Sequence, residues 1–105
     1  MNVCLVLPLD QSPRSVRLDQ RELSQYLGGP ITFVGALHDL DAVVIATTTA
    51  TEPHPLSLPT SACRHVFFDT PAHGTLLVVA SDEDGQAVDL DVAKVCLEMG
   101  LCAPE

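Results

Sequence analysis

Four short apolar runs constrain the fold of this chain more than any other feature of its sequence. They are rich in valine, leucine and isoleucine, which favour strands, and AVVIATTT is the strongest of the four signals. The runs occupy residues 2–7, 31–37, 42–49 and 75–80. Turn residues separate them, so the sequence predicts four strands.

Two short helices are predicted beside these strands. Asp19 suits a helix N-cap, and Gly28 supplies the left-handed end of a first helix. Asp89 or Asp91 would cap a second helix that stops at Gly100. The residues expected on the buried side of the second helix are Leu90, Ala93, Cys96 and Leu97.

The element order is therefore β-α-β-β-loop-β-α, which predicts an α+β fold. The strands at 31–37 and 42–49 are joined by a turn of about hairpin length, so we expect them to pair antiparallel. A small, mainly antiparallel sheet with two short helices on one face is the natural arrangement of such elements. The chain has 105 residues and is 47% hydrophobic, which suits a single domain over residues 1–105.

The net charge of −9 limits the partners of this protein. Residues 22–105 carry twelve acidic residues against Arg64 and Lys94, a balance of −10. Such a surface repels phosphate groups, so we expect no nucleic acid and no membrane among the partners. A basic protein partner would be attracted, and the simpler alternative is that the charge only maintains solubility.

The apolar segment at the start of the chain is short and lacks the basic residue and the cleavage site of a signal peptide. We therefore expect a reducing compartment, the cytoplasm, and four free thiols. The cysteines are Cys4, Cys63, Cys96 and Cys102. Three disulfide connectivities stay formally possible, and the sequence selects none of them.

The stretch from residue 50 to residue 74 is the candidate site, because a long connection without regular structure is often functional. It is rich in proline and contains three of the four histidines of the chain. Polar, titratable side chains on one loop favour a binding role, and no catalytic residue is assigned. The candidate binding residues are His54, Arg64, His65 and His73.

Zinc and calcium fit the sequence poorly. Cys63 and His65 lie two residues apart, but the chain has neither a C-x₂-C nor an H-x₃-H spacing. Residues 80–91 match an EF-hand loop only in part, because Ala80 occupies the first ligand position and a predicted strand precedes it. We therefore expect no metal and no cofactor, and an acidic turn at residues 81–85.

Nucleophilic catalysis has one local candidate. Cys63 would be the nucleophile, with His65 or His73 as its base and Asp69 as the orienting group. No motif such as G-x-S-x-G supports this arrangement. A small enzyme that depends on a metal or on these cysteine and histidine residues therefore stays an alternative function.

Several motifs, taken in order, resemble an uncharacterised family of small domains of unknown function found in large DNA viruses of algae and, more distantly, in phages. They span about residues 19–98 and comprise LGG at 27–29, TFVG at 32–35, DLDAVV at 39–44, PHPL at 53–56, LP at 58–59 and GTLLVV at 74–79. The resemblance implies a viral accessory protein with a role in the virion or toward the host, hence in the host-cell cytoplasm. It transfers no catalytic residue.

These observations predict a non-enzymatic binding module, viral or virus-like, that acts on a protein partner or a small ligand. The missing catalytic motif, the charge of −9 and the loop at residues 50–74 motivate this function. A second alternative is a structural or assembly protein, a homo-oligomer joined through the edges of its sheet.

Overall fold

The computed structural model describes residues 2–9, 11–58, 61, 64–68 and 72–101. In these residues the regular elements are β1 (Asn2–Leu7), β2 (Arg14–Leu18), α1 (Leu23–Leu27), β3 (Ile31–Leu37), β4 (Ala42–Thr47), β5 (Leu76–Ser81), β6 (Ala87–Val88) and α2 (Val92–Met99). Single 3₁₀ turns lie at Gln20–Glu22, His38–Leu40, Pro55–Ser57 and Arg64–Val66. The predicted α+β class is confirmed, and β2 and β6 join the four predicted strands.

The strands form one antiparallel sheet in the order β2-β1-β5-β4-β3, with β6 paired to the far part of β5. The hairpin predicted between β3 and β4 is present, and its register runs from Ile31 opposite Thr47 to Leu37 opposite Ala42. β4 and β5 are the central strands of the described sheet, which explains why their sequences are apolar at almost every position.

Alternation of side chains along β4 and β5 gives the sheet two different faces. Val44 and Val78 are cross-strand neighbours and are fully buried, and we call their side of the sheet the covered face. Val43 and Val79 are also cross-strand neighbours but are only half-buried, and we call their side the open face.

The covered face packs against α2 and against the chain around Val66 and Phe67. α2 begins after Asp91, whose carboxylate accepts a hydrogen bond from the Lys94 N–H at 3.2 Å, and it ends at Gly100 in the left-handed conformation. Its buried side chains are Val95, Cys96 and Met99, with Val92 half-buried.

The buried stripe predicted for this helix is wrong at two positions. Ala93 is exposed, and the side chain of Leu97 is 83% exposed. Leu90 is buried but precedes the helix, so it does not fix the helical phase. The stripe that packs on the sheet starts instead at Val92 and follows helical spacing from there.

The open face packs against α1, so the two helices lie on opposite faces. The prediction that both would cover one face is therefore wrong. Asp19, the predicted N-cap, is followed three residues later by Glu22, whose carboxylate accepts a hydrogen bond from the Asp19 N–H at 3.0 Å. α1 has five residues, buries Leu23 and ends at Gly28 with φ 87°. So short a helix covers only part of the face.

A bulge in β3 fixes the loop to the sheet. The register with β4 shifts between Phe33 and Gly35, and the Phe68 N–H donates to the Val34 carbonyl at 3.0 Å. A Cβ atom on Gly35 would lie 2.6 Å from the Val66 carbonyl oxygen, so only glycine allows this close approach.

Candidate functional site

His54 is part of the protein interior. Its side chain is 3% exposed, and its Nε2 lies 3.0 Å from the Leu7 carbonyl oxygen and 3.3 Å from that of Pro8. Its Nδ1 accepts a hydrogen bond from the Leu56 N–H at 3.2 Å, which leaves the proton of the neutral ring on Nε2. His54 therefore ties the loop to the end of β1.

Burial lowers the pKa of His54 below its ordinary value, although the Leu7 and Pro8 carbonyls oppose this shift. A protonated ring would place a second N–H against the Leu56 N–H, where an acceptor is required. Both ring nitrogens are thus used by the backbone, so His54 supplies neither a base nor a ligand.

Ser57 completes the same anchor and does not form a nucleophile and base pair with His54. Its buried hydroxyl lies 2.9 Å from the His54 carbonyl oxygen and 3.2 Å from that of Ala72. It also accepts a hydrogen bond from the Ala72 N–H at 3.0 Å. The hydroxyl therefore holds two parts of the loop together through their backbones.

The other three candidates do not meet His54 in a common site. Arg64 donates to the Phe67 carbonyl at 2.9 Å and so helps to close the 3₁₀ turn. His65 is exposed and borders a depression of about 230 Å³ together with His38 and Glu98. His73 is half-buried and pairs through its backbone with Pro53. The loop spreads these side chains along its length.

The described residues contain no group of three or more His, Cys, Asp or Glu side chains that would hold a metal ion. Cys63 and Asp69, which belong to the zinc and nucleophile alternatives, lie outside the described residues. In the acidic turn, one carboxylate oxygen of Asp82 accepts hydrogen bonds from the N–H groups of Asp84 and Gln86. That geometry is an acidic turn, as predicted.

Cys4 is a buried, free thiol on β1, as the sequence predicts. Burial raises its pKa, which keeps it in the unreactive thiol form, although its hydrogen bond with Leu18 opposes the shift. Its sulfur lies 3.5 Å from the Asn2 carbonyl oxygen. Cys4 therefore behaves as a small apolar side chain of the core.

The open face carries a feature that the sequence reasoning missed. Beside α1, whose Leu23 contributes to the lining, the face forms a cavity of about 300 Å³, which we call the open groove. The larger apolar side chains of its lining are those of Leu23, Ile31, Phe33, Val43, Ile45 and Val79. Phe33 is 62% exposed and Ile31 is 39% exposed, so two large apolar side chains meet water there. Exposed apolar side chains that adjoin one another mark contact surfaces.

A sequence signal for this groove exists in the strands themselves. Runs that are apolar at consecutive positions, as in β4 and β5, require cover on both faces of the sheet. The only element available for the open face between β2 and β3 is the short stretch around α1. Comparing the two requirements would have predicted an uncovered apolar surface.

The rim of the open groove is polar, and an acidic turn adjoins it in sequence. Gln20 borders it on the side of α1, and Ser81 and Gly85 border it at the opposite turn. Between the last two residues lie Glu83 and Asp84, both exposed. The groove therefore offers an apolar lining with a polar border, and two exposed acidic residues lie next in sequence to Gly85.

Comparisons of the chain with protein-family models, with curated proteins and with solved structures find no match. The resemblance to a viral family stays a prediction. Among the described residues there is no helix with the length and apolar character needed to cross a bilayer.

Proposed function

We propose that this protein is a non-enzymatic binding module that uses the open groove as its contact surface. The observation that carries this proposal is the exposure of Phe33 at 62% in an apolar hollow of about 300 Å³. Covering that ring would remove apolar surface from water, which is the main favourable term in protein association.

The sheet beneath supports the same function, because its rigidity holds the groove ready. Ile45 and Leu77 are fully buried and lie beside the half-buried pair Val43 and Val79 on the same face. Of the strands that form the groove, β4 and β5 are each fixed by hydrogen bonds from strands on both sides, so little ordering is lost there on binding.

The proposed site differs from the loop that the sequence favoured. There, His54 and Ser57 are buried and bonded to backbone groups, so they stabilise the fold. The open groove instead presents the exposed side chains of Phe33 and Ile31, as a binding surface requires.

A neutral apolar dye, Nile red, tests whether the groove binds apolar groups. We expect the dye to fluoresce with the wild-type protein and the signal to fall several-fold with Phe33→Ser. Leu97→Ser is the matched control, because Leu97 is 83% exposed on α2, away from the open groove. Circular dichroism should show that both variants fold.

Changes in amide NMR chemical shifts during the dye titration locate the site at which the dye binds. The expected changes lie at Ile31, Phe33 and Val79, whereas residues of α2 keep their shifts. Equal loss of dye with Phe33→Ser and Leu97→Ser, or shifts confined to α2, would refute the proposal.

A further inference from the structure

The acidic turn next to Gly85 of the open groove carries exposed negative charges. Asp82 is committed to the turn, since its carboxylate accepts hydrogen bonds from the N–H groups of Asp84 at 3.0 Å and Gln86 at 2.9 Å. The carboxylates of Glu83 and Asp84 are exposed beside Gly85, which lines the groove. A bound group that reaches from the groove to this turn would meet two negative charges.

Two arginines close in sequence to α1 have partners outside the groove. Arg21 forms an ion pair with Asp19 at 3.3 Å, and Arg14 donates to the Tyr26 hydroxyl at 3.1 Å. Neither arginine lines the groove. The potential at the turn is therefore set by acids, in agreement with the balance of −10 over residues 22–105.

From this juxtaposition we infer that the occupant of the open groove is a basic amphipathic segment of a protein partner. Its apolar side chains contact Phe33 and Val79, and its lysine or arginine residues face Glu83 and Asp84. The inference rests on the proposed function, to which it adds the chemistry of the partner. Complementary charge at the rim would speed the encounter and select against acidic segments.

A second copy of this chain is the less favourable occupant. Two copies joined through the open groove would bring the same acidic turn of each toward a shared interface, as symmetric pairing requires. Each copy also carries a net charge of −9, so their encounter is opposed at low salt. A separate basic partner relieves both difficulties.

Two synthetic peptides test the inference directly. One combines leucine with lysine, its leucines at helical spacing, and the other has glutamate in place of every lysine. Fluorescence anisotropy should show that the leucine-lysine peptide binds and that the leucine-glutamate peptide does not. Phe33→Ser should weaken binding of the first by about tenfold, as truncation of a central aromatic anchor does. Leu97→Ser should leave it unchanged.

Charge variants separate contact at the rim from general attraction. The double variant Glu83→Gln with Asp84→Asn should weaken binding of the leucine-lysine peptide by about threefold at low salt. It should also reduce the salt dependence of binding. The matched control is Glu52→Gln with Glu98→Gln, which removes the same charge from exposed positions outside the groove. Equal effects of the two pairs would overturn the inference.

The experiments distinguish failure of the inference from failure of the proposed function. Dye binding that requires Phe33, with no preference for lysine over glutamate in the peptides, would keep the groove but reject a basic partner. Sedimentation that shows a dimer of the wild type and a monomer of Phe33→Ser would replace the partner with a second copy. If Phe33→Ser changes neither dye binding nor peptide binding, the open groove is not the binding site.

Discussion

The covered face and the open face of the sheet are made of the same strands but differ in how far their side chains are buried. On β5, Val78 is completely buried beneath α2, whereas the next residue, Val79, is half-buried beside the open groove. On β4, Val44 and Val43 show the same contrast. Neighbouring residues of one type thus serve different purposes according to the face that they join.

The difference arises from what the chain supplies to each side. The covered face receives the eight-residue α2 together with Val66, Phe67 and Ala72 of the loop. The open face receives a five-residue helix, which leaves Phe33 uncovered. The larger cluster of buried side chains therefore lies on the covered face, and part of the open face is left available for contact.

The largest effect should come from breaking the joint between the loop and the sheet. Gly35→Ala would place a Cβ atom 2.6 Å from the Val66 carbonyl oxygen and displace the loop from the covered face. We expect a loss of about 3 kcal/mol in the free energy of unfolding, measured in urea. Thr32→Ala, an exposed site on the same strand, is the control. An unchanged free energy of unfolding in Gly35→Ala would show that the loop moves away from the added Cβ atom at no cost.

The second prediction compares the two faces at adjacent positions. Val78→Ala should reduce the free energy of unfolding by about 2 kcal/mol, because it leaves a cavity in a fully buried site. Val79→Ala should cost less than about 1 kcal/mol, since part of that side chain already meets water. Chemical denaturation of both variants gives the comparison. Equal losses would mean that the open face is as well covered as the other.

The third prediction concerns acid. Because folding lowers the pKa of His54 below its ordinary value of 6.5, the unfolded chain takes up a proton first as the pH falls. The contribution of His54 to the free energy of unfolding should be complete above pH 6.5. It should decline as the pH falls from there to the lowered pKa of the folded state. The side chains lining the cavity beside His54 are uncharged, so this titration belongs to the histidine and its carbonyl partners.

Urea unfolding at several pH values measures this decline. His54→Gln should flatten it, whereas His65→Gln, which alters an exposed loop histidine, should keep the wild-type profile. The same slope in all three proteins would show that His54 does not couple acid to unfolding.

The smallest change in stability should accompany the largest change in binding. Phe33→Ser should alter the free energy of unfolding by less than about 0.5 kcal/mol, because the ring is mostly in water already. Thermal or urea unfolding beside the dye assay checks both properties. A large loss of stability would indicate that Phe33 belongs to the core of the fold.

Local signals in the sequence were enough for the elements but not for their placement. The strand at 2–7, the ends of both helices at Gly28 and Gly100, and the pairing of β3 with β4 all follow from local residue chemistry. Which face each helix covers depends on long-range pairing of β1 with β5, which no local pattern specifies. The phase of α2 was missed because Leu90 was counted as part of it.

The candidate residues illustrate the same limit. His54, Arg64, His65 and His73 share a loop, but sharing a loop does not determine direction. The side chain of His54 is buried next to the end of β1, whereas the side chain of His65 is exposed. The position of the open groove is hard to predict from the sequence because its lining residues come from four separated stretches of chain. Their exposure also depends on how small an area of the sheet α1 covers.

Ile31 and Phe33 lie on β3, an outer strand of the described sheet, and a large part of each side chain is exposed. Substitutions at these two positions would leave the buried central strands unchanged. Lineages, or a laboratory library, could therefore vary what this surface recognises one residue at a time. Such freedom makes the strand a suitable place to graft new specificity onto an unaltered scaffold.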